Sequence, residues 1–306
     1  MLLSLHRLFA LPPALMLVLS LLCGGARADI IVLASDDKGA VAAATVALQG
    51  AYSGRVTVHN LAGSRERESQ IVRDIKASSV QQVVAVGLLA AQVARQRLDQ
   101  KQVVFCQVLN IEEFNLVAPW MKGVSGIPSL PRQFAAWKAL DPGLRRIGLI
   151  TGHHASYMVS EAQAAARALG LELVHVAVPS DRAVLSALQE LRERRIQGLW
   201  LAPDSTILSQ RAILDVMAHS VRHNLPVLAF SPALLKEGAL LAATADTREI
   251  ASATLDRLRR ASPGADHVPG EALEPLSGAR ITISAAAAAR FNLTVPARLR
   301  EQADVQ

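Results

Sequence analysis

From residue 29 onward the chain alternates short apolar runs with longer segments of helical period, the pattern of a parallel sheet covered by helices on both faces. Strands are predicted at 30–34, 55–59, 82–86 and 102–106, with helices between them at 38–49, 65–76 and 89–97. The strands are continuous in Val, Ile and Leu and do not alternate with polar residues, as expected when both faces are buried. Residues 117–131 are rich in Gly and Pro and have no clear period. A second set then begins, with strands at 147–150, 172–176, 198–201 and 227–230 and helices at 156–169, 182–194 and 209–223.

The two sets echo one another. "VRDIKASSVQQVVAVG", ending at Gly87, has the same helix, turn and strand rhythm as "LQELRERRIQGLWLAP", ending at Pro203. Because the pattern restarts and does not simply extend, two α/β lobes, each a doubly wound parallel sheet, are predicted in preference to one large sheet. Residues 263–275 interrupt the helical pattern, and "ARITISAAAAARFNLTVPARLREQA" adds one more strand and helix, a tail able to cross back to a lobe already built.

The N-terminus changes the picture of where the chain works. Arg7 precedes an apolar run at 8–22, and Ala26-Arg27-Ala28 presents small residues at the two positions a signal peptidase reads, so cleavage after Ala28 and export to the periplasm are expected. The run contains Pro12 and Pro13 and is shorter than a spanning helix needs. Lipidation at Cys23 is not expected, because Leu22 stands where a small residue is wanted. The mature chain then keeps a single thiol, Cys106, inside an apolar run, and no internal disulfide is possible.

The formal charge is +6, from 32 Lys and Arg against 26 Asp and Glu; removing Arg7 and Arg27 leaves 30 against 26, a net +4. The excess is spread over helices, for example at Arg65, Arg67, Arg73, Arg192, Arg194 and Arg195, without interleaved aromatic residues for base stacking. Nucleic acid is therefore not an expected partner. No phosphate-binding loop, dinucleotide fingerprint or nucleophile elbow occurs, and the acidic pair Glu112-Glu113 has no partner that sequence identifies. His219 and His223, four apart, share a helix face but lack the Glu of hydrolytic zinc motifs, so no metal or other cofactor is expected.

Three segments carry a family resemblance: "GLWLAPDSTILSQ" with Asp204, "NLPVLAFSPALLKEGALLAATADTREIASATLDRL" with Gly238, Ala239 and Asp246, and "ITISAAAAARFNLTVPARL". Together they resemble the periplasmic solute-binding proteins of ABC transporters with the type I fold. The resemblance implies two lobes around a ligand cleft. It also implies that the chain enters the second lobe near Ser125, returns near Gly238 and crosses again near Arg280. The expected units are a signal peptide at 1–28, a first lobe of 29–124 plus 238–279, and a second lobe of 125–237 plus 280–306. It implies a monomer that takes a small polar or amino-acid-like ligand and hands it to an ABC permease or other membrane partner, without catalysis. A sensory subunit acting on a signalling or receptor partner is the alternative, and a hydrolase a third. The pattern departs from the family at "ITGHHASYM", where an Asn-Pro turn is usual, and at "CQVLNIEEF", where an Asp-Pro step is usual.

Ligands of open α/β sheets sit outside the strand C-termini. Residues at those positions are the candidates: Ser35, Asp36 and Asp37; Gly87 and Leu88; Gln107 and Asn110; and, from the second lobe, His153, His154, Tyr157, Asp204, Ser205 and Ser231. Each competes with a helix-capping role, since Ser and Asp between a strand and a helix are favoured N-caps. Free backbone N–H groups at the helix starts suit an anionic ligand group, with Gly87 the best backbone candidate.

Overall fold

The computed structural model describes residues 29–261 and 272–306. The expected signal peptide and most of the 263–275 interruption lie outside the described residues.

The first sheet has the order β11-β5-β4-β3-β1-β2 and is parallel throughout. Its strands are β1 (Ile30–Ala34), β2 (Val56–Asn60), β3 (Gln82–Val86), β4 (Gln102–Cys106), β5 (Met121–Val124) and the short β11 (Leu273–Glu274). The helices between them are α1 (Gly39–Ala51), α2 (Glu68–Ala77) and α3 (Leu88–Arg97), and α8 (Thr247–Arg260) packs beside α1.

The second sheet has the order β13-β12-β10-β9-β8-β6-β7. It contains β6 (Arg146–Thr151), β7 (Glu172–Ala177), β8 (Gly198–Leu201), β9 (Val227–Ala229), β10 (Leu241–Thr244), β12 (Arg280–Ile283) and β13 (Ala303–Val305). Its helices are α4 (Leu130–Leu140), α5 (Ser156–Ala168), α6 (Val184–Glu193), α7 (Gln210–Arg222), α9 (Ala285–Arg290) and α10 (Ala297–Arg300). The β10–β12 pair is antiparallel, which the purely parallel expectation did not include. In each sheet the first five strands fall in the same spatial order, second, first, third, fourth, fifth, so the sequence echo is a structural one: α2–β3 repeats as α6–β8.

Successive strand residues point to opposite faces, and both faces are packed. Ile31, Leu33, Val83, Ala85, Val103 and Phe105 feed one cluster; Ile30, Val32, Val84, Val86, Val104 and Cys106 feed the other. The second sheet divides likewise, Leu149, Trp200 and Leu241 on one face and Ile150, Leu199 and Leu201 on the other. This is why the inner strands read as unbroken apolar runs, whereas the edge strands β2 and β7 are partly exposed and carry polar residues.

The aperiodic stretch 117–131 resolves into β5 and the start of α4, whose Pro131 sits in the first turn where no backbone donor is needed. The chain passes between sheets three times. It leaves the first sheet after Val124 and the second after Thr244, and enters the second sheet again at Arg280. The return is thus not at Gly238, because β10 pairs with β9 and β12 and carries the second sheet on to Thr244. Two of these passages are braced. The Glu249 carboxylate of α8 accepts from Ser277 N (2.7 Å), Ser277 Oγ (2.8 Å) and Gly278 N (2.8 Å), and Arg280 donates to Asp246, the N-cap of α8, at 2.7 Å.

Candidate functional site

The C-terminal ends of the strands carry the loops through which the two lobes touch. After β4 the chain turns through Gln107 and Asn110, both in the left-handed region (φ 57° and 55°). Asn tolerates that conformation better than most residues, and it lets the loop project its amide at the opposite lobe. Asn110 Nδ2 donates to Asp204 Oδ1 at 2.8 Å, and Asn110 Oδ1 accepts from Ser205 Oγ at 2.9 Å and from Ser205 N at 3.2 Å.

Asp204, three residues past β8, is 1% exposed. Its Oδ1 also accepts from Thr206 Oγ1 (2.6 Å) and Thr206 N (3.0 Å), and its Oδ2 accepts from Gly152 N (2.8 Å) at the end of β6. Burial acts to raise the carboxyl pKa, but the bonds from Thr206, Gly152 and Asn110 outweigh it and hold the group below its ordinary value. Asp204 is therefore an anion tied by four hydrogen bonds from three residues, not a helix cap; Ser209 caps α7. Gly152 is required here, since a Cβ would come within 2.5 Å of Thr206 Oγ1.

A second contact lies alongside. Glu112 Oε1, from the first lobe, accepts from Ser156 Oγ (2.8 Å) and Tyr157 N (2.9 Å) in the first turn of α5. Here the free N–H groups and the positive helix end favour a carboxylate. Tyr157 packs its ring against the apolar cluster of the first lobe and donates its hydroxyl to Glu161 at 2.6 Å. Between the two contacts lies a cavity of about 60 Å³ walled mainly by apolar groups, among them Leu109, Ile111, Ile127, Met158 and Leu273, with His154 at its margin.

The structure thus brings Asn110, His154, Tyr157, Asp204 and Ser205 to one place. It does not bring Ser35, Asp36, Gly87, Leu88, His153 or Ser231 there. The Ser35 hydroxyl is buried and accepts from Ala90 N (2.9 Å), capping α3. Gly87 (φ 88°) is a glycine because a Cβ would lie 2.6 Å from that same hydroxyl. Leu88 opens α3 and packs into the first-lobe core. Asp36 accepts locally from Lys38 N, and Ser231 from Ala233 N. His153 faces a different depression, with Ser156 and His175, beside the β7 edge of the second sheet. Sequence reasoning missed the role of Glu112, whose only signal was an acidic pair without a partner, and of Gly152 and Thr206.

Among the described residues no group of three or more potential metal-ligating side chains occurs, and no helix is long and apolar enough to cross a membrane.

Solved structures with the same fold include the ABC domain in complex with L-Trp from Streptococcus pneumonia, at 20% identity and TM-score 0.61, covering 91% of this chain and 99% of that one. The ligand-free, open structure of a substrate-binding protein with adhesive properties from Clostridium difficile matches at 13% identity and TM-score 0.66 with the same coverage. A conserved domain protein from Vibrio cholerae matches at 18% identity and TM-score 0.60, again covering 91% and 99%. No curated protein matches the chain. The family model for ABC transporter substrate binding proteins matches residues 49–304, most of the chain, and with its two lobes meeting through strand-end loops the chain belongs to that family.

Proposed function

We propose that the protein captures one small polar or amino-acid-like solute between its lobes in the periplasm, by closure of the lobes, and delivers it to an ABC permease. The observation that carries this reading is the contact of Asn110 with Asp204 and Ser205, a polar bridge between the lobes beside an apolar-walled cavity. Such a combination of a few convergent polar groups on an apolar wall is what a small-molecule site requires. The cavity, at about 60 Å³, has room for no more than a few waters. A ligand of amino-acid size therefore enters only when the lobes part, and the bridge must break and re-form around it.

The apolar wall of Leu109, Ile111, Ile127 and Met158 favours a ligand with an apolar side chain. The complex of a structurally similar protein with L-Trp supports that choice. The test is calorimetric titration of the mature protein with free amino acids and related small solutes. Saturable one-to-one binding of a member of the set, without turnover, is expected. Chemical conversion of the bound compound would replace this reading with a hydrolase, and binding of none of them would remove the amino-acid-like assignment.

A further inference from the structure

A depression in the second lobe lies at the far end from the cleft, where β8 and β9 begin. Its volume is about 340 Å³, and its wall includes Asp141, Arg192, Gln197, His223, Asn224 and Phe291. The His223 ring lies 4.2 Å, centroid to centroid, from that of His219 one turn earlier on α7. His219 is 8% exposed, and its Nε2 has no hydrogen-bond partner among the described residues. Arg192, just before the end of α6, and Arg222, at the end of α7, both act electrostatically on the two imidazoles. Neither guanidinium has an ion-pair partner among the described residues, although Arg194 nearby is paired with Glu190.

Two guanidiniums and two imidazoles are thus gathered at the C-terminal ends of α6 and α7. Asp141 is the carboxylate on the cavity wall, and its Oδ1 is engaged by Gly143 N at 2.9 Å. Asp215, one turn before His219, is paired with Arg211. Gln197 is spent on the backbone of Arg145, Arg146 and Gly143. The two guanidiniums leave a local positive field at the cavity that a bound anion lowers.

We propose that this cavity is an anion site that takes a phosphate-class oxyanion between Arg192 and His223, with Arg222 and His219 contributing charge from behind. Guanidinium and imidazolium donors suit the oxygens of such a group, and Arg binds them in its planar fork. The site is separate from the cleft and does not rest on the solute-capture reading.

Protonation follows from the same arrangement. Burial first, and then the charges of Arg192 and Arg222, with His223 adding to them for His219, hold both imidazoles below their ordinary value. A bound anion offsets that field and draws protons onto the rings, so affinity rises as pH falls toward and below the ordinary imidazole value.

Inorganic phosphate titrated into the full mature chain at constant ionic strength, followed through the imidazole proton resonances, tests this. Saturable shifts at His219 and His223 are expected, with the dissociation constant weakened at least about tenfold in Arg192→Gln and tightening toward lower pH. Arg195→Gln, on the same surface but outside the cavity wall, should leave it unchanged. Vesicles of phosphatidylcholine with and without phosphatidylglycerol decide the source. Co-sedimentation that depends on Arg192 and is competed by phosphate identifies a lipid headgroup, and phosphate binding without co-sedimentation identifies a free anion. Linear, unsaturable shifts, or equal loss in both Arg variants, would overturn the proposal.

Discussion

Asn110 and Asp204 belong to different lobes, yet the amide nitrogen of the first lies 2.8 Å from the carboxylate of the second. The carboxylate is buried and negatively charged, and it holds Gly152 and Thr206 as well, so one side chain joins three loops.

Replacing Asp204 by Ala leaves the buried Gly152 N–H and the Asn110 amide without their acceptor. Each orphaned donor costs about 1–3 kcal/mol, and the loss of folding stability should be on the order of 3 kcal/mol. Asp36→Ala removes only a local turn bond to Lys38 and should cost under about 1 kcal/mol. Urea unfolding of the two variants checks the contrast, and calorimetry with the cognate ligand should show weakened binding for Asp204→Ala alone.

Asn110→Asp puts a second carboxylate against the first while keeping the side chain's shape. Repulsion should break the bridge and bias the lobes apart. Small-angle scattering is expected to give a larger radius of gyration for the variant, with wild-type dimensions recovered in the double variant Asn110→Asp, Asp204→Asn.

The pH dependence has a defined sign. The folded-state pKa of Asp204 lies below the ordinary value of 3.8. Its stabilising contribution is fully present above that ordinary value and is lost as pH falls through the lower, folded value. The stability difference between wild type and Asp204→Asn should therefore be flat from neutral pH down to about 4 and shrink below it.

Much of the fold is legible in the sequence because both faces of each sheet are packed. Ile30 to Ala34 and Gln82 to Val86 are buried at every position, and a buried strand advertises itself as a continuous apolar run. Helices α4 and α8 are harder to see. The first follows directly on a Gly- and Pro-rich passage, and the second carries its apolar stripe of Ile250, Ala251, Leu255 and Leu258 among many charged residues. The site is less legible still. Ser35, Gly87, Asn110 and Asp204 all stand just past strand ends, but Ser35 and Gly87 serve each other and α3, whereas Asn110 and Asp204 reach across. Local sequence does not distinguish a polar group satisfied by its own lobe from one satisfied by the other. Glu112 is the clearest case, since its partners Ser156 and Tyr157 lie more than forty positions away.

Glu249 anchors the last passage between lobes through three bonds to Ser277 and Gly278. Glu249→Ala should raise hydrogen exchange at the Ser277 and Gly278 amides, and Glu249→Gln, which keeps an acceptor oxygen, should restore much of the protection.

Cys106 is fully buried, and burial pushes its thiol up to about 12. The thiolate is the reactive form, so a maleimide reagent should leave the native protein unlabelled at neutral pH and modify it only after denaturation.

Solute capture itself is tested most directly by native mass spectrometry of the protein purified without denaturation from its own cells. The account predicts a species heavier than the mature chain by one small molecule, released on unfolding and lost in Asp204→Ala. A bare chain that also binds no small solute offered to it, or an adduct that persists unchanged in Asp204→Ala and Asn110→Asp, would contradict capture at this bridge.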